Sequence, residues 1–336
     1  MTTKLLKEAD FHIGANFIKK GGTVAFRTET VYGLGADATN DEAVQKIFNA
    51  KDRPKKNPLI IHFYGVDHLE KYFPNIDSNI LNIFNKIKSG LTVILPKPEN
   101  SLISDIALGG QDTVAVRIPS CKFAQKFIKR CRTPIAAPSA NLSSRPSSTS
   151  WQDVMEDLNK RIDAVFMGKP AIGGIESTVI KISDNKVGIL RQGVVSRAKI
   201  EKALGMETYL IQDKEEASAS PGTMFKHYSP SVPLYIMDDE SMNEKESAII
   251  LCKSGNAGKY KELRVMKLGN NAKSIGSKLF AKFREAEKAV LNDHNLTCII
   301  IEQMPNDSKF DSIKERIEKA STKYVKQEDI SAPIKF

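Results

Sequence analysis

The 336-residue chain has only four cysteines, at 121, 131, 252 and 298, and no two of them form a CxxC pair. A structural zinc site and a disulfide framework are therefore not expected, and free thiols in a cytoplasmic setting are. Long apolar runs are also lacking. The longest, Ala248 to Cys252, falls far below the ~18 residues of a membrane helix, so no transmembrane segment is expected. The opening MTTKLLKEADFHIG mixes Lys, Glu and Asp and has no apolar stretch of a signal peptide. Aromatic residues make up 7% and form no strip interleaved with basic ones, which argues against a platform that stacks single-stranded bases. No GxxxxGK[ST] loop, GxSxG elbow, HExxH helix or GxGxxG turn occurs, and the five histidines are too widely spaced to offer a metal-ligand pair. No Cys/His dyad can be proposed either, so an obvious protein nucleophile is missing.

What is present is ordinary globular material, 41% apolar and 27% charged, in a length that suits about two domains. The net charge of +10 is uneven: +9 falls in residues 1–210, −4 in 211–240 and +5 in 241–336. A basic first part suits an anionic ligand, although a solvated basic surface explains the charge equally well.

Hydrophobic periodicity predicts alternating strands and helices over the first two hundred residues. Strands are expected at 23–26, 59–63, 91–95, 114–118, 135–137, 164–167, 178–182 and 187–190. Helical faces appear at Ala43, Val44, Ile47 and Phe48, and at Ile80, Ile83, Phe84 and Ile87 with a stop at Gly90. Trp151, Val154, Met155 and Leu158 repeat the pattern behind Ser150, a good N-cap, and a short helix over 196–204 closes at Gly205. The stretch 212–231 is acidic and then rich in Ser, Pro and Gly without either period, which reads as a linker. Beyond it, strands at 232–237, 248–252 and 298–302 and a helix with Ile275, Leu279, Phe283, Ala286 and Val290 on one face form a smaller α/β domain, 232–336, after a first domain of 1–211.

Three polar segments of the first domain stand out. Thr28-Glu29-Thr30-Val31-Tyr32-Gly33-Leu34-Gly35 follows a strand and reads as a hydroxyl loop with two glycines. Lys51-Asp52-Arg53-Pro54-Lys55-Lys56-Asn57 puts four cations in six residues, a candidate triphosphate clamp, before the strand that carries His62. Pro138-Ser139-Ala140-Asn141-Leu142-Ser143-Ser144-Arg145-Pro146-Ser147 follows an apolar strand and offers hydroxyls and backbone N–H groups to phosphate oxygens. Thr113 and Arg117 share one face of a strand whose valines face the other way, and Gly173 to Thr178 with Arg191 adds a further hydroxyl loop and cation. A polar turn, a solvated loop and a helix cap are the bland alternatives for each segment alone. Cations and hydroxyls without a nucleophile suit a reaction in which the substrate itself attacks a phosphate.

As an ordered set, TETVYGLG, KDRP followed by NPLIIH, TVAVRIP, APSANLSSRPS, ESTV, LRQG and SPGTMFKHYSP resemble the YrdC-type threonylcarbamoyl-AMP synthases, in their two-domain branch. The resemblance implies a twisted, open mixed α/β sheet around a basic cavity, plus a smaller Rossmann-like α/β domain. It implies a nucleotidyltransferase that makes threonylcarbamoyl-AMP and pyrophosphate from L-threonine, bicarbonate and ATP with Mg2+, for tRNA threonylcarbamoyladenosine modification. Its product would pass to a tRNA threonylcarbamoyl transferase complex, direct tRNA contact is possible, and no membrane is involved. Lys51, Arg53, Ser139 and Asn141 are the implied catalytic residues. Thr30, His62, Arg117, Ala137 and Ser177 are implied in threonine binding, and Arg53, Asn57, Thr113, Ser139, Ser147, Arg191 and Tyr228 in ATP binding, with no metal ligand from the protein. Arg27, Ser144 and Gln192 stand where the family usually has Pro, Gly and Pro, and Thr223-Met224-Phe225 replaces Met-Lys-Tyr. An RNA-binding module of the same fold is the alternative.

Overall fold

A computed structural model of the chain describes residues 2–183, 186–220, 227–237, 247–260 and 263–325. The chain divides into two compact units, Met1–Ser143 with Ser147–Phe225, and Ser144–Pro146 with Lys226–Phe336.

Among the described residues the first unit is built on eleven strands: β1 (Lys4–Leu6), β2 (Val24–Arg27), β3 (Tyr32–Asp37), β4 (Ile60–His62), β5 (Leu91–Pro96), β6 (Thr113–Arg117), β7 (Ile135–Ala136), β8 (Ala164–Phe166), β9 (Thr178–Ser183), β10 (Lys186–Arg191) and β11 (Thr208–Leu210). They form one mixed sheet in the order β1-β8-β2-β3-β7-β4-β6-β5-β9-β10-β11. Parallel pairs such as β4 with β6 are mixed with antiparallel ones such as β2 with β3 and β5 with β6. Period-two alternation sorts the side chains onto two faces. Ala25, Leu34, Ile61, Val93, Val116 and Ile180 belong to the main core, which the helices Asp41–Lys51, Ser78–Lys86 and Trp151–Leu158 help to fill. The alternate positions form two smaller apolar clusters: Val24, Phe26, Ile135 and Phe166 under the helices Phe11–Lys19 and Lys122–Cys131, and Ile60, Ile94, Ala115 and Val179. His62, Thr92 and Arg117 share the parity of the last group. Both faces of this sheet are therefore covered.

Local signals account for several element ends. Ser150 caps its helix in a reciprocal capping box with Asp153, and Gly205 ends the Arg197–Leu204 helix in the left-handed region at φ 68°. Other expectations need correction. Tyr32–Asp37, read as the tail of a polar loop, is β3, paired on both sides with β2 and β7. The Ser78–Lys86 helix stops before Gly90, which forms a separate turn at φ 71°. Within the expected linker, Lys214–Ala217 makes one helical turn, while Pro221 to Lys226 lie outside the described residues.

Among its described residues the second unit carries a parallel five-stranded sheet: β12 (Leu234–Met237), β13 (Ala248–Lys253), β14 (Arg264–Gly269), β15 (Cys298–Ile301) and β16 (Lys323–Val325), in the order β14-β13-β15-β12-β16. The Ala272–Leu291 helix buries the predicted face of Ile275, Leu279, Phe283, Ala286 and Val290. No helix among the described residues is long and apolar enough to cross a membrane.

Candidate active site

The site residues of the first unit fall into three hydrogen-bonded groups, each joining segments far apart in sequence. The first is centred on Arg117. Register pairing sets His62 beside it across β4 and β6. Arg117 is 4% exposed, so this strand face is covered at that position. Its Nη2 donates to Glu29 Oε1 at 2.7 Å, to Thr30 Oγ1 at 2.8 Å and to Thr28 Oγ1 at 3.4 Å. Its Nε is buried and has no hydrogen-bond partner among the described residues. Burial alone would raise the Glu29 carboxyl, but the adjacent guanidinium and the hydrogen bonds it and two main-chain N–H groups make hold it below the ordinary carboxylate value. His62 is buried beside the same cation, and burial with that charge pushes its imidazole down to about 3, so it is neutral near pH 7. Its Nδ1 lies 3.1 Å from the Ile60 carbonyl and its ring meets Phe26 edge-on at 6.4 Å. The Ile60 carbonyl also accepts the Ala137 N–H at 2.9 Å, which fixes that residue next to the same strand.

The second group links the KDR helix end to the SAN loop. Asp52 takes the left-handed conformation at φ 51° and ends the Asp41–Lys51 helix, turning Arg53 out of the helical register. Lys51 is 1% exposed and its ammonium donates to the carbonyls of Ser139, at 2.6 Å, and Asn141. Arg53 uses its fork within its own loop: Nε donates to the Asn57 carbonyl at 3.1 Å, and Nη2 to Asn57 Oδ1 at 2.6 Å and the Pro58 carbonyl at 2.8 Å. The SAN loop also leans on β3, through the Gly33–Ser139 bridge and the Ala140 N–H on the Tyr32 carbonyl at 2.8 Å. Asn141 Nδ2 donates to the Leu142 carbonyl at 2.7 Å.

The third group is built around Ser177. Arg191 Nε and Nη2 donate to its carbonyl at 3.2 and 3.0 Å, Nη2 also reaches its hydroxyl at 3.2 Å, and that hydroxyl lies 2.8 Å from Thr92 Oγ1. Gly193 makes this loop possible, because a Cβ there would lie 2.4 Å from the Ser177 carbonyl carbon and the Thr178 nitrogen. Next to Ser177, Glu176 accepts the Ser147 hydroxyl at 2.5 Å.

Thr113 opens β6 on the same strand face as Arg117. Tyr228 falls in the second unit, at φ 69°, stacked on Phe280 at 5.1 Å with the Arg316 guanidinium 5.6 Å from its ring. Two carboxylates emerge that the sequence did not single out, Glu29 and Glu176. Each sits inside a motif already read for its hydroxyls, and a buried acid among hydroxyls was the available signal. Among the described residues, no group of three or more His, Cys, Asp or Glu side chains could hold a metal ion.

These groups can be set beside known proteins. The Sua5/YciO/YrdC family model, described as telomere recombination, matches residues 16–193, and the model for the threonylcarbamoyl-AMP synthase C-terminal domain matches 195–322. A threonylcarbamoyl-AMP synthase of Pyrococcus abyssi is 35% identical over 84% of this chain and 87% of its own length. One of Bacillus subtilis is 33% identical over 91% of each chain. The crystal structure of P. abyssi Sua5 complexed with L-threonine superimposes with a TM-score of 0.83 at 30% identity, covering 97% of this chain and 99% of that one. With both family models matched in order and relatives aligned over most of their length, the chain belongs to the threonylcarbamoyl-AMP synthase family.

Proposed function

We propose that this chain is an L-threonylcarbamoyladenylate synthase, a nucleotidyltransferase acting on L-threonine, bicarbonate and ATP to supply tRNA threonylcarbamoyladenosine modification. The observation that carries the reading is the Arg117 group: a buried guanidinium walled by two threonine hydroxyls, with a neutral imidazole in register beside it. A guanidinium suits an amino-acid carboxylate, and Thr30, His62, Ser177 and the Ala137 backbone take the rest of threonine on family resemblance.

In the proposed reaction the threonine amine combines with bicarbonate to give a carbamate and water. A carbamate oxygen attacks the α-phosphate of ATP, and the bond to the β-phosphate breaks to release pyrophosphate. The substrate supplies the nucleophile, so the protein's work is positioning and charge compensation. Lys51 stiffens the Ser139–Asn141 loop while adding positive charge, Arg53 adds a cation that its bonds to Asn57 and Pro58 hold in place, and Asn57, Thr113, Ser139, Ser147 and Arg191 complete the nucleotide set. Tyr228 joins it on family resemblance alone. Magnesium would enter with ATP as part of the MgATP substrate. Transfer to tRNA would fall to a separate partner complex.

The test is incubation of the full chain with MgATP, L-threonine and bicarbonate, reading pyrophosphate and the adenylate by mass. Pyrophosphate should require both threonine and bicarbonate. Serine, one methyl short, should react roughly ten to two hundred times more slowly. Equal release with and without threonine would overturn the reading, and tRNA binding without any turnover would favour the RNA-binding alternative.

A further inference from the structure

Glu29 joins several segments of the site. Its carboxylate takes Arg117 and the Gly90 N–H on Oε1, at 2.7 and 3.2 Å, and the Cys121 N–H on Oε2 at 3.4 Å. Its own carbonyl accepts the Gly173 N–H at 2.8 Å, and the Thr30 carbonyl accepts that of Gly174 at 2.9 Å. One residue thus ties the TET loop to the turn before β5, the end of β6, the start of the Lys122–Cys131 helix and the Gly173 loop.

We infer that Glu29 is a positioning residue of the amino-acid subsite: its carboxylate stays on Arg117 while substrate binds, and holds the guanidinium so that its other donors meet the substrate carboxylate. The inference rests on the proposed reaction and deepens it.

The competing arrangement, in which the substrate carboxylate displaces Glu29, is disfavoured by the other donors. The Glu29 side chain is 13% exposed, and leaving Arg117 would strand a buried carboxylate without its cation. Movement would also orphan the Gly90 and Cys121 N–H groups, which face it from two different segments. Gly90 cannot readily follow, since its φ of 71° belongs to a turn wedged against Val194. On the arginine, Nη2 alone serves Glu29 and both threonines, whereas the buried Nε has no partner among the described residues. A guanidinium held at one nitrogen keeps an edge for a second carboxylate. With its carboxyl held low, Glu29 is a poor proton acceptor, so it orients the cation rather than deprotonating the amine.

The experiment uses the full chain as wild type, Glu29→Gln and Glu29→Asp, measuring KM for L-threonine and for ATP, L-threonine binding by calorimetry, and thermal melting. Glu29→Gln should raise threonine KM and Kd at least tenfold and keep ATP KM within about twofold, at a lower melting temperature because buried Arg117 loses its carboxylate. Glu29→Asp keeps the charge but withdraws it, and should show the same split if the glutamine variant fails to fold. Combined with Arg117→Lys, the Glu29 effect should largely vanish, because it acts through the arginine. Unchanged or tighter threonine binding in both variants, equal rises in the two KM values, or full additivity with Arg117→Lys would overturn the inference. If the wild type releases no threonine-dependent pyrophosphate, the proposed reaction fails, and the calorimetric comparison still decides the role of Glu29.

Discussion

Lys51 spends its ammonium on the main chain of Ser139, 2.6 Å from that carbonyl oxygen, and the Ser143 N–H returns a bond to the Lys51 carbonyl at 2.9 Å. The cation of the KDR motif is thereby a brace for the SAN loop. Lys51→Met fills similar space but leaves the Ser139 and Asn141 carbonyls without their charged donor, which costs about 1 to 3 kcal/mol for each buried group left unpaired. A lower melting temperature together with steep loss of turnover is expected. Wild-type melting in the variant would show that the brace is dispensable.

Arg53 is bound differently, through a fork spread over Asn57 and Pro58. Arg53→Lys retains charge but cannot serve three acceptors in one plane. The proposed nucleotide role predicts a fall in kcat/KM for ATP of roughly ten to a hundredfold, from about 1.5 to 3 kcal/mol of lost charge-assisted bonding, with threonine binding little changed. Steady-state kinetics at limiting ATP check it, and retained ATP kinetics would move the clamp elsewhere.

His62 gives stability a pH dependence of definite sign. Its folded-state imidazole titrates near 3, below the 6.5 of an unperturbed group, so the unfolded chain binds the proton first as pH falls. The contribution is complete above about 6.5 and is lost progressively as pH falls from there toward 3. Melting curves at stepped pH should therefore decline more steeply for wild type than for His62→Gln, whose side chain does not titrate. Parallel curves would contradict the buried neutral assignment.

Ser144 occupies the left-handed region at φ 70°, a conformation in which a Cβ is strained. Glycine, which lacks a Cβ, adopts this conformation without that strain. Ser144→Gly should stabilise the chain by up to about 1 kcal/mol, the relief of strain being partly offset by the greater freedom of glycine when unfolded. Chemical denaturation measures it, and a destabilised variant would mean that the serine side chain outweighs its backbone.

Most strands and the capped helices were legible because burial on a pleated sheet or a helical stripe writes a period into the sequence. β3 was not, since YGLGAD holds two glycines and no β-branched residue, and its strand character comes from pairing with β2 and β7. At Gly35 the sheet demands the missing side chain, because a Cβ would lie 2.7 Å from Ile135 Cγ2. The Lys122–Cys131 helix has the right spacing in Phe123, Ala124, Phe127, Ile128 and Cys131, but four interspersed cations dilute it. Site residue types were legible as motifs, whereas their partners were not. The Glu29–Arg117 pair spans 88 positions, and the acceptors of Lys51 are carbonyls that carry no side-chain signal.

The sheet's pairing order also sets a timetable for synthesis. β2 and β3 can zip as a hairpin within microseconds of emerging, but Lys4 of β1 pairs with Ala164 of β8, and Leu91 of β5 with Thr178 of β9. At about 5 to 20 residues per second, the first strand waits on the order of ten seconds for β8, its neighbour in the sheet. During that interval the nascent chain displays unpaired strand edges, and its Arg117 has no closed sheet to be buried in. Ligand competence therefore arrives with the last strands rather than growing in steps, and the ribosome-bound chain is the form most exposed to aggregation and most in need of chaperones.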